Sequence, residues 1–590
     1  MVKIFISWVY CKCTFSTPKS PKGDFKKYWI LLTPFRVGVE QQKPIFFEVT
    51  AAAGIRGKKG KFVILSITLA LLFILTGCNK KDKPELQTLI FTNPILHLDY
   101  SDPDVVQVGN KYYMTASSFN CIPGLPLLES ENLVDWKLIG YALAKLEPDS
   151  AYSKPQHGNG VWAPAIRYHK NKFYIYYGDP DYGIFVVAAK DINGPWSKPH
   201  LVKEGKGWID PCPFWDDDGT AWLVHAWAGS RAGIKSTLTL HKMDKDGEKL
   251  LDNGTLIFDG HNGNTTVEGP KMYKHNGFYY ILAPAGGVTE GWQLALRSKH
   301  VTGPYEVKKV LHQGSTAING PHQGAWVNAP DGSSWFIHFQ DKHAFGRIVH
   351  MQPITWINDW PVMGNDADGD GTGEPVLSAE IKTIEVEPDS NQNQYSDEFN
   401  APNLNLHWQW HANPSAKWGA PTGYLGFLRL NAAPFLHIKS LWEAPNLLMQ
   451  KFPANSFTAT TKIDLFLKEN TDKAGLLIMG YNYAYVAIEK QGSVQMLVYR
   501  ICIDADKKGT EKTIMSIPWD SSQVYVKTVV DALGICRFEY SSDGEIYTAL
   551  TESFQALPGK WIGAKVGLFC NSTALTNDAG YVNVDWFRVN

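Results

Sequence analysis

From Phe91 onward the chain repeats one arrangement of apolar and polar positions. A short strand leads to a hairpin turn made from Asn, Asp or Gly, and an aromatic-rich strand follows. Asp102-Pro103 leads to Gly109-Asn110-Lys111-Tyr112-Tyr113, and Trp162-Ala163-Pro164 leads to Asn171-Lys172-Phe173-Tyr174. Asp210-Pro211 leads to Asp218-Gly219-Thr220-Ala221-Trp222, and Glu268-Gly269-Pro270 to Asn276-Gly277-Phe278-Tyr279. His322-Gln323-Gly324 leads to Asp331-Gly332-Ser333-Ser334-Trp335. The starts lie 48 to 60 residues apart. A period near about 50 residues with several strands per unit is what propeller blades produce, and no helical periodicity of comparable strength competes. The pattern predicts an all-β chain with a five-bladed β-propeller over residues 91–380.

The propeller pattern stops after Trp356–Gly364. Asp366-Ala367-Asp368-Gly369-Asp370-Gly371 then has the outward form of a calcium loop. Leu377 stands where an EF-hand needs its bidentate Glu, so the run reads as a polar Gly-rich turn. Residues 381–394 form a linker, and Tyr395-Ser396-Asp397-Glu398-Phe399 opens a second domain. From there to Asn590, alternating strands such as Phe457–Phe466, Tyr485–Glu489 and Val582–Val589 predict a β-sandwich. Two domains fit the length, since 590 residues exceed what one core supports.

Composition adds a hint about the ligand. The chain holds 21 Trp, more than core filling needs, and sugar faces pack well on flat rings. The formal net charge of −1 hides an uneven split. Residues 1–61 carry 12 Lys+Arg against 3 Asp+Glu, leaving 45 basic and 55 acidic side chains beyond them. That balance provides no electrostatic footprint for nucleic acid, and a neutral substrate fits better.

A targeting signal lies inside the chain. Arg56, Lys58, Lys59 and Lys61 precede an apolar run of 14 residues, Phe62 to Leu75, which meets Leu75-Thr76-Gly77-Cys78. Such a run is short for a membrane span and suits a signal-peptide core. The order of basic flank, apolar core, small residues and Cys matches the lipobox of bacterial lipoproteins. Residues 55–78 therefore read as a lipoprotein signal, with Cys78 as the lipidated residue, 79–90 as a linker, and the protein as exported and membrane-anchored. Residues 1–54 fit no part of such a signal and read as an unstructured extension from an upstream start assignment. After Cys78, the cysteines at 121, 212, 502, 536 and 570 are odd in number and lack metal-type spacing, so they read as small buried hydrophobes.

The chemistry is carried by the blade starts. The innermost strand of each blade runs along the central axis, so equivalent starts converge at one funnel mouth. Repeats one, three and four place Asp102, Asp210 and Glu268 there, while repeats two and five place Trp162 and His322. Each Asp-Pro taken singly is an ordinary turn dipeptide. Three acids in one register repel one another, and folding alone gives little reason to keep them. Carboxylates held a few ångströms apart equip a site to cleave glycosidic bonds. One stays protonated to donate to the leaving oxygen and another is ionised to activate water. A third raises the acid's pKa by like-charge repulsion.

These segments also resemble a known family. Tyr100-Ser101-Asp102-Pro103-Asp104-Val105, Val161-Trp162-Ala163-Pro164-Ala165, Ile209-Asp210-Pro211, Val267-Glu268-Gly269-Pro270 and Gly320-Pro321-His322-Gln323-Gly324 are similar to glycoside hydrolase family 43. So are Ser117-Ser118-Phe119, Pro123-Gly124-Leu125-Pro126 and Gly346-Arg347. The resemblance implies inversion at the anomeric carbon, with Asp102 as general base, Glu268 as general acid and Asp210 as pKa modulator. Inversion implies a base-to-acid separation of roughly 6.5–9.5 Å. It also implies that Arg347 bonds sugar hydroxyls, that Trp162 and Phe119 wall the terminal subsite, and that His322 lies beside a central cation, often calcium. No cofactor is required for the chemistry itself.

The C-terminal part resembles the concanavalin-like sandwich of family 43 β-xylosidases, through Asp397-Glu398-Phe399 and Asp585-Trp586-Phe587. By that resemblance, Asp397 and Asp585 are candidate ligands of a structural calcium. The activity implied is exo-removal of α-L-arabinofuranose, β-D-xylose or both from plant hemicellulose or its oligosaccharides. The alternative is a surface lipoprotein that binds glycans without cleaving them.

Overall fold

The computed structural model describes residues 86–386, 395–436 and 439–590, and the backbone of Lys27–Trp29 and Glu48–Thr50. The chain divides into two compact units, Met1–Lys83 and Pro84–Asn590. In the first, Lys27–Trp29 pairs antiparallel with Glu48–Thr50, within the segment expected to carry no structure. The signal segment and Cys78 lie outside the described residues.

The second unit opens with five four-stranded antiparallel sheets, one for each repeat. Their innermost strands are Asp104–Val108, Trp162–His169, Trp208–Trp215, Lys271–His275 and His322–Asn328. Turn chemistry sets the hairpins: in blades one and four, positive-φ Gly109 and Gly277 sit where the first strand reverses into the second. The ring closes between blades five and one. Gln87–Thr92 pairs along its whole length with Ser378–Thr383. Phe91 and Ile381 join Val105 and Met114 of blade one and Val327 and Trp335 of blade five in one apolar cluster. The propeller thus runs to Thr383, three residues past the expected boundary.

A belt of side chains from four innermost strands, closed by a backbone N–H of the fifth, links the blades. Asp104 takes the Arg167 guanidinium (2.6 Å), Arg167 donates to Cys212 Sγ (3.0 Å), and Cys212 accepts the Met272 N–H (3.3 Å). Tyr273, next along, offers its hydroxyl oxygen to the Trp326 N–H (3.1 Å). Asp104 and Cys212 within this belt are fully buried.

Two eight-stranded sheets follow, packed face to face over an apolar core that includes Trp408, Leu448, Ile478, Val526 and Phe587. The alternating burial of Phe457–Phe466 is what a strand with one face on that core requires. The sandwich is bonded to the propeller by backbone as well as side chains: Ile122 and Trp410 exchange N–H···O bonds, and Asn120 donates to the His411 carbonyl (2.8 Å). Cys121, Cys212, Cys502, Cys536 and Cys570 are all buried and free, as expected of small apolar residues.

Candidate active site

Each innermost strand has a left-handed residue within two positions of its start: Asp102 (φ 55°), Ala163 (34°), Asp210 (55°), Gly269 (55°) and Gln323 (53°). The ladder slips at this point in blades two, three and five. A bulge re-aims the side chains beside it, which is why functional groups gather there. The common register corrects the expectation that three acids share one repeat position. Asp102 and Asp210 occupy the left-handed position itself, whereas Glu268 stands one residue earlier, alongside Trp162 and His322. The set draws on two adjacent columns of the repeat, and the longer Glu side chain comes from the column set back by one.

Asp102 is buried and held by donors. Ser101 Oγ (3.0 Å) and Ser117 Oγ (2.5 Å) both donate to Oδ2, and Arg347 donates to Oδ1 (3.2 Å). Arg347 also donates to Ser101 Oγ (2.6 Å), and Ser117 Oγ accepts the Ala163 N–H (2.7 Å), which ties blades five, one and two around one carboxylate. All three donors leave Asp102 as an acceptor, the state in which it can take a proton from water.

Asp210 accepts the Gly269 N–H (2.7 Å), so the acid of blade three is locked to the backbone just after Glu268. A Cβ at Gly269 would lie 2.8 Å from the Gln323 side chain, so this close approach needs glycine. Burial raises both Asp210 and Glu268 well above the usual carboxylate range. For Glu268 the charges of Asp210 and then Asp102 push in the same direction, up to about 8. Glu268 is half-buried, so water reaches it but hydrates it poorly. An acid that keeps its proton at neutral pH thus stands within reach of the charge of an acceptor.

The remaining expected residues surround this group. Trp162 anchors its indole N–H on the Gly158 carbonyl (2.6 Å), and Phe119 exchanges backbone bonds with Val161 next door, its ring almost wholly buried. His322 is fully buried with neither ring nitrogen bonded, and desolvation, followed by the Arg347 charge, drives it down to about 3. A neutral, unpartnered buried imidazole suits water or a hydrated cation.

Asp397 and Asp585 behave otherwise. Asp397 accepts the N–H groups of Phe399, Asn405 and Trp408 (2.9–3.1 Å), and Asp585 pairs with Lys462 (2.9 Å). These are the partners of the two acids among the described residues. Among the described residues, Asp366, Asp368 and Asp370 are the only trio whose oxygens converge. Loop N–H groups of Gly371, Asp370 and Thr372 bond them, as in a polar turn.

Two functional residues escaped the sequence reading. Trp561, in the sandwich, packs edge-on against Trp162 (6.3 Å) and lies over the Arg347 guanidinium (5.6 Å). Asp99 fixes that meeting. Its carboxylate accepts the Arg347 N–H and the Gly563 N–H, each at 2.9 Å. Nothing in the spacing connects positions 99, 347 and 561–563; only the domain packing does.

The comparisons agree with this geometry. Residues 91–361 match glycosyl hydrolases family 43, and residues 396–590 match the β-xylosidase C-terminal concanavalin A-like domain. A Xylanibacter ruminicola protein assigned as a β-xylosidase is 39% identical over 481 residues, covering 80% of this chain and 86% of that protein. A β-xylosidase of Formosa agariphila is 32% identical over 547 residues, covering 84% and 90%. A solved family 43 glycoside hydrolase, engineered to display both endo-xylanase and exo-arabinofuranosidase activity, aligns with a TM-score of 0.74 at 25% identity, over 85% of this chain and 100% of that one. The chain with its acid trio, five-bladed propeller and appended sandwich belongs to glycoside hydrolase family 43.

Proposed function

We propose that this enzyme removes single terminal β-D-xylosyl or α-L-arabinofuranosyl residues from plant hemicellulose or its oligosaccharides, with inversion. The observation that carries the reading is Glu268, held protonated by burial and by Asp210, and close enough to the donor-bound carboxylate of Asp102 to feel its charge. Glu268 donates its proton to the leaving oxygen while Asp102 takes one from the attacking water. Asp210 bears no part in bond making; it keeps Glu268 protonated and steadies the backbone beside it. The belt that links the blades, together with Trp561 of the sandwich, favours a dead-end pocket that takes a chain terminus rather than a cleft that takes its middle. The names of two relatives as β-xylosidases support xylose, and a pocket for one sugar ring accommodates the similar hydroxyl pattern of arabinofuranose.

His322 would hold a calcium ion that carries its own waters, and such an ion would add positive charge to the site. Export and anchoring through a lipid on Cys78 are part of the same reading, supported by the basic flank and apolar run before it. Metabolic labelling with a fatty-acid analogue tests the anchor, and loss of label in Cys78→Ala is expected.

The activity is tested with nitrophenyl β-D-xyloside and nitrophenyl α-L-arabinofuranoside on the wild type and Glu268→Ala. Release from at least one sugar is expected, and natural oligosaccharides should suffer more in the variant than activated ones. Release from neither substrate by the wild type would contradict the assignment.

A further inference from the structure

A second depression opens beside the acid's own loop, on the third blade. It has a volume of about 480 Å³, within the range of small-ligand sites, and is lined by Trp227, Ile234, Thr237, Asn253, Leu256 and His261, among others. Ile234 and Leu256 are 51% and 58% exposed, so two large apolar side chains face solvent on one concave surface. Along the strand Thr237–Met243, Leu238 and Leu240 point into the core while Thr237 and Thr239 face the groove. Trp227 is fixed by its indole N–H on Thr239 Oγ1 (3.0 Å). Lys235 supplies the one full charge in the lining. Flat apolar patches edged by hydroxyl and amide groups suit a neutral, hydroxyl-rimmed sugar ring.

The groove is joined to the catalytic centre by a single loop. Ser236, next to Lys235, accepts the Gly260 N–H on its carbonyl (2.8 Å) and the Thr266 N–H on its hydroxyl (2.7 Å). These bonds brace residues 260–268, the segment that ends at Glu268 and whose His261 lines the groove. Lys235 is also close enough for its charge to act on Glu268. A general acid stands on the leaving-group side of the scissile bond. Lys235, which lines the groove and whose charge reaches Glu268, thus links this surface to the acid.

We infer that the blade-three groove is a leaving-group site that holds the next sugars of a β-1,4-xylose chain. The inference rests on the reading of Glu268 as the acid. Calorimetry on Glu268→Gln with xylobiose and xylotetraose tests it, alongside the same variant carrying Ile234→Asp and Leu256→Asp. Tetraose should bind at least tenfold more tightly than biose to Glu268→Gln, and the two added substitutions should erase that gain. Equal affinity for the two sugars, or a gain that survives the substitutions, would overturn the groove. Circular dichroism of the triple variant shows whether a loss reflects unfolding, and in that event Thr237→Ala and Asn253→Ala replace the two aspartates. Failure of the catalytic reading is separately visible as absent nitrophenyl release by the wild type, while the binding comparison still decides the groove.

Discussion

The guanidinium of Arg347 lies 5.6 Å from the ring centroid of Trp561, so the last blade of the propeller meets the sandwich directly over the catalytic pocket. The same guanidinium donates to Asp102, so the domain contact and the base share one side chain. The sandwich is therefore a wall of the active site as well as an appendage.

Trp561→Ala tests that wall. The side chain is 41% exposed, so its removal should cost stability no more than about 0.5 kcal/mol, as for surface changes generally. Losing a stacking face for the terminal sugar should lower kcat/KM by about tenfold, or ~1.4 kcal/mol of transition-state binding. Steady-state kinetics with a nitrophenyl glycoside, beside a thermal melt, separate the two. An unchanged kcat/KM would remove Trp561 from the site.

Asp99→Ala should act at longer range. It leaves the N–H groups of Arg347 and Gly563 without their acceptor, and bonds to a buried carboxylate are worth roughly 1.5–3 kcal/mol each. We expect a loss of about 3 kcal/mol in urea unfolding together with a raised KM, because Trp561 and Arg347 both lose their tether. A stability loss with KM intact would make Asp99 a purely structural residue.

Glu268 governs two pH effects of the same origin. Activity requires its proton, so kcat/KM should fall as pH rises through about 8. Stability should fall as pH rises toward that value. The folded protein keeps this proton to higher pH than the unfolded chain, whose Glu titrates at about 4.3, so the folded state binds more protons in between. The contribution is complete below the unfolded value and is lost as pH rises through the folded one. Glu268→Gln escapes that loss, and its melting temperature should exceed the wild type's increasingly from pH 5 to pH 9. A constant difference across that range would mean that Glu268 does not titrate as the acid must.

The blades, their order and the gathering of the three acids were legible because each depends on a local pattern: Asn/Gly turns, aromatic strands and an X-Pro start. Their register was not fully legible. Asp102-Pro103 and Glu268-Gly269-Pro270 look equivalent when aligned on the acid, but the left-handed backbone aligns them on the residue before proline. Trp561 and Asp99 stayed hidden because their roles arise from the packing of two domains, and no sequence period spans that contact. Asp397 and Asp585, expected as candidate ligands of a structural calcium, bond to three N–H donors and to Lys462 respectively, contacts that no sequence pattern announces.

The most direct test of the central claim is proton NMR of the sugar first released from a β-D-xyloside. A single displacement, with Glu268 donating a proton and Asp102 activating water, predicts that α-xylose appears first and then mutarotates. β-Xylose as the first product would require a covalent intermediate and would contradict the roles given to both residues.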